Sequence, residues 1–144
     1  MDAIARRLLF QIGTVGFCLN LGELVEIREQ ISELIDHSQA DQELAVVGTL
    51  PFKWTSIPVV DLAIRLNIRS VSPDVVLVVN SPAGNLGILV DNIEGFYSAA
   101  EMTDCSVPQL LQAEGWRCFD RIVLYLGVPY LQLNLSECYS GVNG

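Results

Sequence analysis

The chain has little of what metal and nucleophilic chemistry require, with one histidine and four cysteines among 144 residues. The cysteines lie at least 13 positions apart and form no CxxC pair, which disfavours a zinc or redox site. His37 follows Asp36 in a polar segment, where an exposed side chain is expected rather than the general base of a serine nucleophile. GxSxG, Walker and HExxH motifs are also missing. The sequence therefore predicts a non-catalytic protein without metal or cofactor.

Basic residues are scarce as well. The chain carries 8 lysines and arginines against 17 acidic residues, for a net charge of −9. Such a surface repels nucleic acid and anionic lipid, so a protein partner is expected instead. The apolar run near the N-terminus, Leu8 to Phe10, is too short for a signal peptide or a membrane span. These features predict a cytoplasmic protein with no direct membrane insertion.

Short strands with turn signals make up most of the pattern. Hairpins are predicted around Gly13 and around residues 126–128, and the continuous apolar run at 75–79 predicts a strand buried on both faces. Apolar residues at helical spacing predict an amphipathic helix over residues 22–36. A shorter helix is predicted at 61–66, capped by Asp61, and one helical turn at 108–113. The chain is thus expected to be mainly β, with one or two short helices.

Two aspartates occupy matching positions in a weak internal echo. IPVVDLAIRL contains Asp61 and GILVDNIEGF contains Asp91, each after an apolar strand. Paired carboxylates are a known acid–base arrangement, and an enzyme hypothesis requires that these two share a cleft. Capping or a turn is the preferred interpretation of both.

The segment GTLPFKWTSIPVVDL, residues 48–62, crowds Pro51, Lys53 and Trp54 onto one short connection between strands. Tryptophan gains much of its stabilisation from burial, so its position at a loop tip requires an explanation. Either Trp54 folds back onto the core and Lys53 is a solvated charge, or the tip meets a partner.

Four segments in order resemble the CheW-like domain family, the adaptors of bacterial chemosensory arrays. They are LLFQIGTVGFCLNLGELVEIRE (8–29), residues 48–62, LGILVDNIEGF (86–96) and PYLQLNLSEC (129–138). The resemblance implies a single domain over residues 1–144, built from two intertwined SH3-like barrels of five strands each, the second mainly from residues 70–135. It also implies that the Leu-x-Glu-Ile segment is a short helix or turn running into a strand, which would shorten the helix predicted at 22–36.

The same resemblance implies a function. Members of the family couple a CheA-type histidine kinase to the cytoplasmic tip of a methyl-accepting chemoreceptor. Carried over position by position, the family motif assigns partner binding to six residues: Leu24, Glu26, Ile27, Phe52, Lys53 and Trp54.

The chain departs from the family where Asn-Leu-Arg-Gly is usual, having Pro51, Phe52, Lys53 and Trp54. Lysine lacks the planar fork with which arginine holds a carboxylate, so an unusual partner is expected. Two alternatives follow: a scaffold that binds a kinase with a non-standard receptor or none, and a small-ligand-binding β-barrel with its pocket at the seam between the halves.

Overall fold

The structure is a computed structural model that describes residues 5–31, 33–41, 45–71, 73–82, 84–106 and 119–135. The helical turn predicted at 108–113 lies outside these residues. Within them the chain is mainly β, as predicted, and its one α-helix is short. No helix in the described part of the chain is long and apolar enough to cross a membrane.

Eleven strands and one α-helix follow one another along the described chain. They are β1 (Arg6–Ile12), β2 (Val15–Asn20), β3 (Leu24–Glu29), β4 (Val46–Phe52), β5 (Thr55–Asp61), α1 (Leu62–Leu66), β6 (Val75–Ser81), β7 (Gly84–Val90), β8 (Asn92–Ser98), β9 (Thr103–Ser106), β10 (Phe119–Tyr125) and β11 (Val128–Leu133). Three 3₁₀ helices, Leu21–Glu23, His37–Gln39 and Ala99–Glu101, lie between strands.

The first sheet has six strands in the order β8-β1-β2-β11-β10-β9. Its neighbours are antiparallel except β2 and β11, which run parallel. The predicted hairpin near the C-terminus is present, and its loop is Leu126 and Gly127, since Val128 already pairs with Tyr125. Both loop residues have positive φ, 53° and 79°, as a tight two-residue hairpin requires.

The second sheet has five strands in the order β3-β6-β7-β5-β4, with β5 and β7 parallel. Strand β6, which lies between β3 and β7, is buried on both faces, as the apolar run predicted. Val76 and Val78 pack into a cluster that this sheet forms with Ile31 and Ile35, while Leu77 and Val79 pack into the cluster shared with the other sheet.

The shared cluster is the main core of the molecule. It brings Leu8, Phe10 and Phe17 of the six-stranded sheet against Leu77 and Ile88 of the five-stranded one. Each sheet draws strands from both the first and the second half of the chain, so the two are intertwined. The two-part β architecture is confirmed. The sheets hold six and five strands rather than five each, and in the described residues their outermost strands are not paired into closed barrels.

The helix predicted over residues 22–36 is wrong. The chain forms a 3₁₀ helix at Leu21–Glu23 and then strand β3, which pairs with β6 so that Ile27 lies opposite Leu77. A bulge between Leu24 and Glu26 shifts the alternation, so Leu24 and Ile27 lie at helical spacing although the backbone there is extended. The turn running into a strand that the family resemblance implied is what the structure has.

The short helix was predicted correctly. Helix α1 begins after Asp61, whose carboxylate accepts a 2.9 Å hydrogen bond from the amide of Ala63. It ends at Asn67, which has left-handed backbone angles of 56° and 46°.

Candidate partner-binding surface

The hairpin joining β4 and β5 presents Trp54 to solvent. Phe52 pairs with Thr55, which leaves Lys53 and Trp54 as a two-residue loop. The Trp54 side chain is 101% exposed, so in this structure it does not fold back onto the core. The positive φ that such a turn needs falls on Lys53, at 56°, and not on the tryptophan.

Phe52 supports this tip from inside. It is 4% exposed and packs with Leu50 and Ile57 in the core of the five-stranded sheet. The Lys53 ammonium lies 5.3 Å from the centre of the Phe52 ring, within the range of a cation–π contact. Phe52 therefore anchors the loop, and among the described residues Lys53 forms no ion pair.

The three predicted residues of β3 divide between the core and the surface. Leu24 and Ile27 are partly buried against the shared core, whereas Glu26 is exposed. Val25, which was not predicted, is 44% exposed. Strand β3 is the outermost strand of its sheet, so this exposed part lies along a sheet edge.

Arg28 links the two predicted segments, and sequence reasoning missed it. Its Nη1 donates a 2.7 Å hydrogen bond to the carbonyl oxygen of Pro51, and its Nε lies 3.5 Å from Oε2 of Glu26. Once residues 24–29 are recognised as a strand, residues two apart share a face, which puts Arg28 beside Glu26. The helical interpretation concealed that signal.

Glu26, Lys53 and Trp54 are thus the exposed members of the predicted site, and Arg28 bridges the strand and the hairpin that carry them. Leu24 and Ile27 are partly buried and Phe52 is buried. The arrangement offers a partner one large aromatic side chain flanked by charges of both signs. Such a combination is typical of binding surfaces in which one aromatic anchor dominates the affinity.

Asp61 and Asp91, the two residues of the enzyme hypothesis, bind backbone amides. Asp61 caps α1, and Oδ2 of Asp91 accepts hydrogen bonds of 2.6 Å from Gly13 and 2.7 Å from Val71. Burial raises the pKa of Asp61, and the nearby charge of Asp91 raises it further. Each carboxylate thus has a structural task in binding backbone amides. The described residues contain no cluster of side chains able to hold a metal ion.

An ion-paired cluster joins three strands of the six-stranded sheet. Arg7 of β1 binds both carboxylate oxygens of Asp104 of β9 at 2.8 and 3.0 Å, and Arg121 of β10 binds one of them at 2.9 Å. Hydrogen bonds from Arg7, then from Arg121, hold the pKa of Asp104 below its usual value despite some burial. The cluster fixes β9 at the edge of its sheet.

The described residues line two open surface cavities away from the hairpin tip. One of about 340 Å³ is lined by Ala5, Arg6, Asn20, Leu21 and Gly22. The other, of about 250 Å³, is lined by Asp104, Cys105, Ser106 and Arg121. Among the described residues, the seam between the sheets, where the ligand-binding alternative places its pocket, is lined by the tightly buried side chains of the shared core.

Two small intertwined sheets around one shared core place the chain in the class of mainly β domains with an exposed hairpin surface. The CheW-like domain model matches residues 6–103, more than half of the sequence. The chain belongs to the CheW-like domain family.

Comparison with solved structures agrees with this assignment. The crystal structure of the scaffolding protein TtCheW from Thermoanaerobacter tengcongensis superposes with a TM-score of 0.83. The match covers 100% of this chain and 93% of that one at 14% sequence identity, so it shows a common fold. No curated protein gives a significant sequence match.

Proposed function

We propose that this protein is a non-catalytic cytoplasmic adaptor that couples a CheA-type histidine kinase to the cytoplasmic tip of a chemoreceptor. Membership of the CheW-like family supports the general role. The observation that carries the proposal for this chain is the Trp54 tip, fully exposed and tied to β3 by Arg28.

An adaptor of this kind acts through geometry. It must hold two partners at fixed positions so that a small movement of one changes the activity of the other. The shared core supports such rigidity, because buried side chains of both sheets interdigitate in it. Separate sheets also offer separate surfaces for the two partners.

The receptor-side surface in this proposal consists of Glu26, Lys53 and Trp54, with Leu24, Ile27 and Phe52 packed behind them. An indole that is fully exposed in the free protein gains its burial only when a partner covers it. Since Lys53 and Trp54 replace the arginine and glycine usual in the family, the partner is expected to be a receptor with a correspondingly altered tip. A scaffold that binds the kinase without a receptor is the alternative.

Calorimetry with the regulatory domain of a CheA-type kinase from the same cell tests the kinase arm. Wild type, Lys53→Ala and Trp54→Ala are titrated, with Val71→Ala as the control, because Val71 is also apolar and 77% exposed but lies elsewhere. Micromolar or tighter binding by all four proteins is expected, which would leave the tip free for the receptor.

The receptor arm uses a soluble fragment of the receptor tip and the same four proteins. Trp54→Ala is expected to weaken this binding at least about tenfold, which corresponds to ~1.4 kcal/mol, while Val71→Ala leaves it unchanged. Kinase binding without receptor binding would support the alternative scaffold. If the kinase domain does not bind, the adaptor proposal is wrong, and a thermal-shift screen with common metabolites would then examine the ligand-binding alternative.

A further inference from the structure

The loop between β10 and β11 repeats a feature of the Trp54 tip. Leu126 and Gly127, like Lys53 and Trp54, form a two-residue hairpin loop that carries a large apolar residue into solvent. Leu126 is 84% exposed. Its loop belongs to the six-stranded sheet, whereas the Trp54 loop belongs to the five-stranded one. Each sheet therefore presents an exposed apolar residue at a hairpin tip.

Folding gives no reason for a leucine at position 126. Its φ is +53°, in the left-handed region that side chains with a β-carbon disfavour. Asparagine is the usual residue before glycine in a two-residue loop with two positive φ angles. An exposed leucine also gains little from burial. The position thus carries a backbone cost without a benefit to the fold, and such positions are concentrated at functional sites.

Aromatic and apolar residues lie at the base of this loop. Tyr125 pairs with Val128, which is 49% exposed. The Tyr125 ring also lies against Tyr97 of β8, with 4.7 Å between the ring centres. Three strands separate β8 from β10 in the sheet, so its curvature brings the two rings together. We call Tyr97, Tyr125, Leu126 and Val128 the Leu126 patch.

Two exposed glutamates border the Leu126 patch. Glu94 lies three residues before Tyr97, whose hydroxyl donates a 3.3 Å hydrogen bond to the Glu94 carbonyl oxygen. Glu101 ends the 3₁₀ helix that follows β8. Burial raises the pKa of Tyr125, and the charge of the nearby Glu101 raises it further. Neither glutamate forms an ion pair with the described residues.

The neighbouring arginines do not neutralise this border. Arg7 pairs with Tyr97 in the sheet, but it is only 8% exposed and binds Asp104. Arg121, in the first half of β10, binds the same carboxylate. Arg6 precedes Arg7, and its side chain therefore points to the opposite face of β1. The border of the patch thus offers negative charge to a partner.

We propose that the Leu126 patch is a second protein-docking surface, and that its partner presents an apolar pocket for Leu126 with lysine or arginine beside it. This inference rests on the proposed adaptor function and assigns the surface to the regulatory domain of the kinase. A few apolar and aromatic residues carry most of the affinity at such surfaces, and complementary charges at the border favour the correct partner.

Two features favour the kinase over other occupants. The patch and the Trp54 tip belong to different sheets, so the receptor can occupy one while the kinase occupies the other. A second copy of this chain is a poor fit, because two acid-bordered patches repel each other and each chain carries a net charge of −9.

Leu126→Asn separates docking from folding. Asparagine followed by glycine is a preferred sequence for this kind of loop, so the variant should unfold at a higher temperature than wild type. In calorimetry with the regulatory domain of the kinase, it should nevertheless bind at least about tenfold more weakly. Val71→Asn is the control, because Val71 is 77% exposed and lies outside the patch, and it should bind like wild type.

Two further variants test the rest of the surface. Val128→Thr keeps a residue that strands favour but adds a hydroxyl group to the patch, and it should also weaken binding. It decides the question should Leu126→Asn not fold. Glu101→Gln should weaken binding about twofold and make it less sensitive to salt, whereas Glu33→Gln, at an exposed glutamate elsewhere, should do neither.

The outcomes distinguish this inference from the adaptor function. If the wild-type protein does not bind the kinase domain, the adaptor function is wrong and the assignment of the patch fails with it. If wild type binds and both Leu126→Asn and Val128→Thr bind equally well, only the docking surface is wrong. Sedimentation of the free protein examines a second copy as the occupant. Self-association that Leu126→Asn abolishes, with kinase binding unchanged, would overturn the assignment to the kinase.

Discussion

The guanidinium group of Arg28 donates a 2.7 Å hydrogen bond to the carbonyl oxygen of Pro51, which joins the outermost strands β3 and β4 across the open side of the five-stranded sheet. Proline has no backbone N–H to donate, so it suits such an edge position, while its carbonyl oxygen remains available as an acceptor. The contact explains how two segments distant in sequence present one surface. It also gives Pro51, within the crowded segment 51–54, a physical role at the edge of the sheet.

Replacing Arg28 with alanine should loosen the hairpin tip. We expect a loss of about 1 kcal/mol in the free energy of unfolding, in the range of a single exposed hydrogen bond, and faster amide hydrogen exchange at residues 53–56. Arg6→Ala is the control, because Arg6 is an exposed arginine on β1, a strand of the other sheet. Equal exchange rates at the tip in both variants would contradict the bridging role.

The positive φ of Lys53 predicts a contrast between two substitutions. Lys53→Val should be less stable than Lys53→Asn by about 1–2 kcal/mol, because valine resists the left-handed region that asparagine tolerates. Both variants lose the contact with Phe52, so that loss cancels. Urea denaturation measures the difference. Ser56, an exposed position in β5, is the control. There the valine variant should be more stable than the asparagine variant, because strands favour valine.

Gly13→Ala should be costly because two effects combine at that position. Its φ is +60°, and a Cβ there would collide with the carbonyl oxygen of Arg69. Gly127 also has a positive φ, +79°, but has open space around it. Thermal unfolding should show a loss of about 1 kcal/mol for Gly127→Ala and about 2–4 kcal/mol for Gly13→Ala. Similar losses at the two positions would mean that the turn at Gly13 is not closely packed against Arg69.

The Asp104 cluster predicts a pH-dependent loss in Asp104→Asn. The pKa of Asp104 is lowered in the folded protein, so its charge stabilises the fold above the pKa of the unfolded chain, and this contribution disappears as the pH falls through the folded value. The variant should be about 1 kcal/mol less stable at neutral pH. The loss is small because the Asp104 side chain is 38% exposed and solvent screens its ion pairs.

The difference in the free energy of unfolding between wild type and Asp104→Asn should disappear below about pH 4, where an unperturbed aspartate becomes protonated. Denaturation curves at several pH values measure it. Glu33→Gln, at an exposed carboxylate outside the cluster, is the control. A stability difference that stays constant down to pH 2 would show that the ion pairs of Asp104 do not cause it.

Much of the fold followed from local signals. Glycine-marked hairpins, the Asp61 cap and the doubly buried β6 each depend on residues close in sequence, and all three are present. Strand β3 was missed because its state depends on pairing with β6, some 50 residues away, and a bulge gives it helical spacing. That tertiary pairing overrides local periodicity.

The candidate site was predictable in part. The sequence indicated that the tip of residues 53–54 needed an explanation, but whether Trp54 packs inward depends on the space left by the whole sheet. Arg28 could not be assigned before β3 was known to be a strand. The exposed indole and its bridge to β3 were therefore visible only in the assembled structure.

Reconstitution of kinase, receptor and this protein tests coupling most directly. Autophosphorylation of the CheA-type kinase is measured with the receptor's cytoplasmic fragment present, with and without this protein, and with Trp54→Ala in its place. We expect that the receptor changes kinase activity only when the wild-type protein is present, and that Trp54→Ala abolishes most of that change. An equal response to the receptor with and without the protein would contradict the proposed adaptor role.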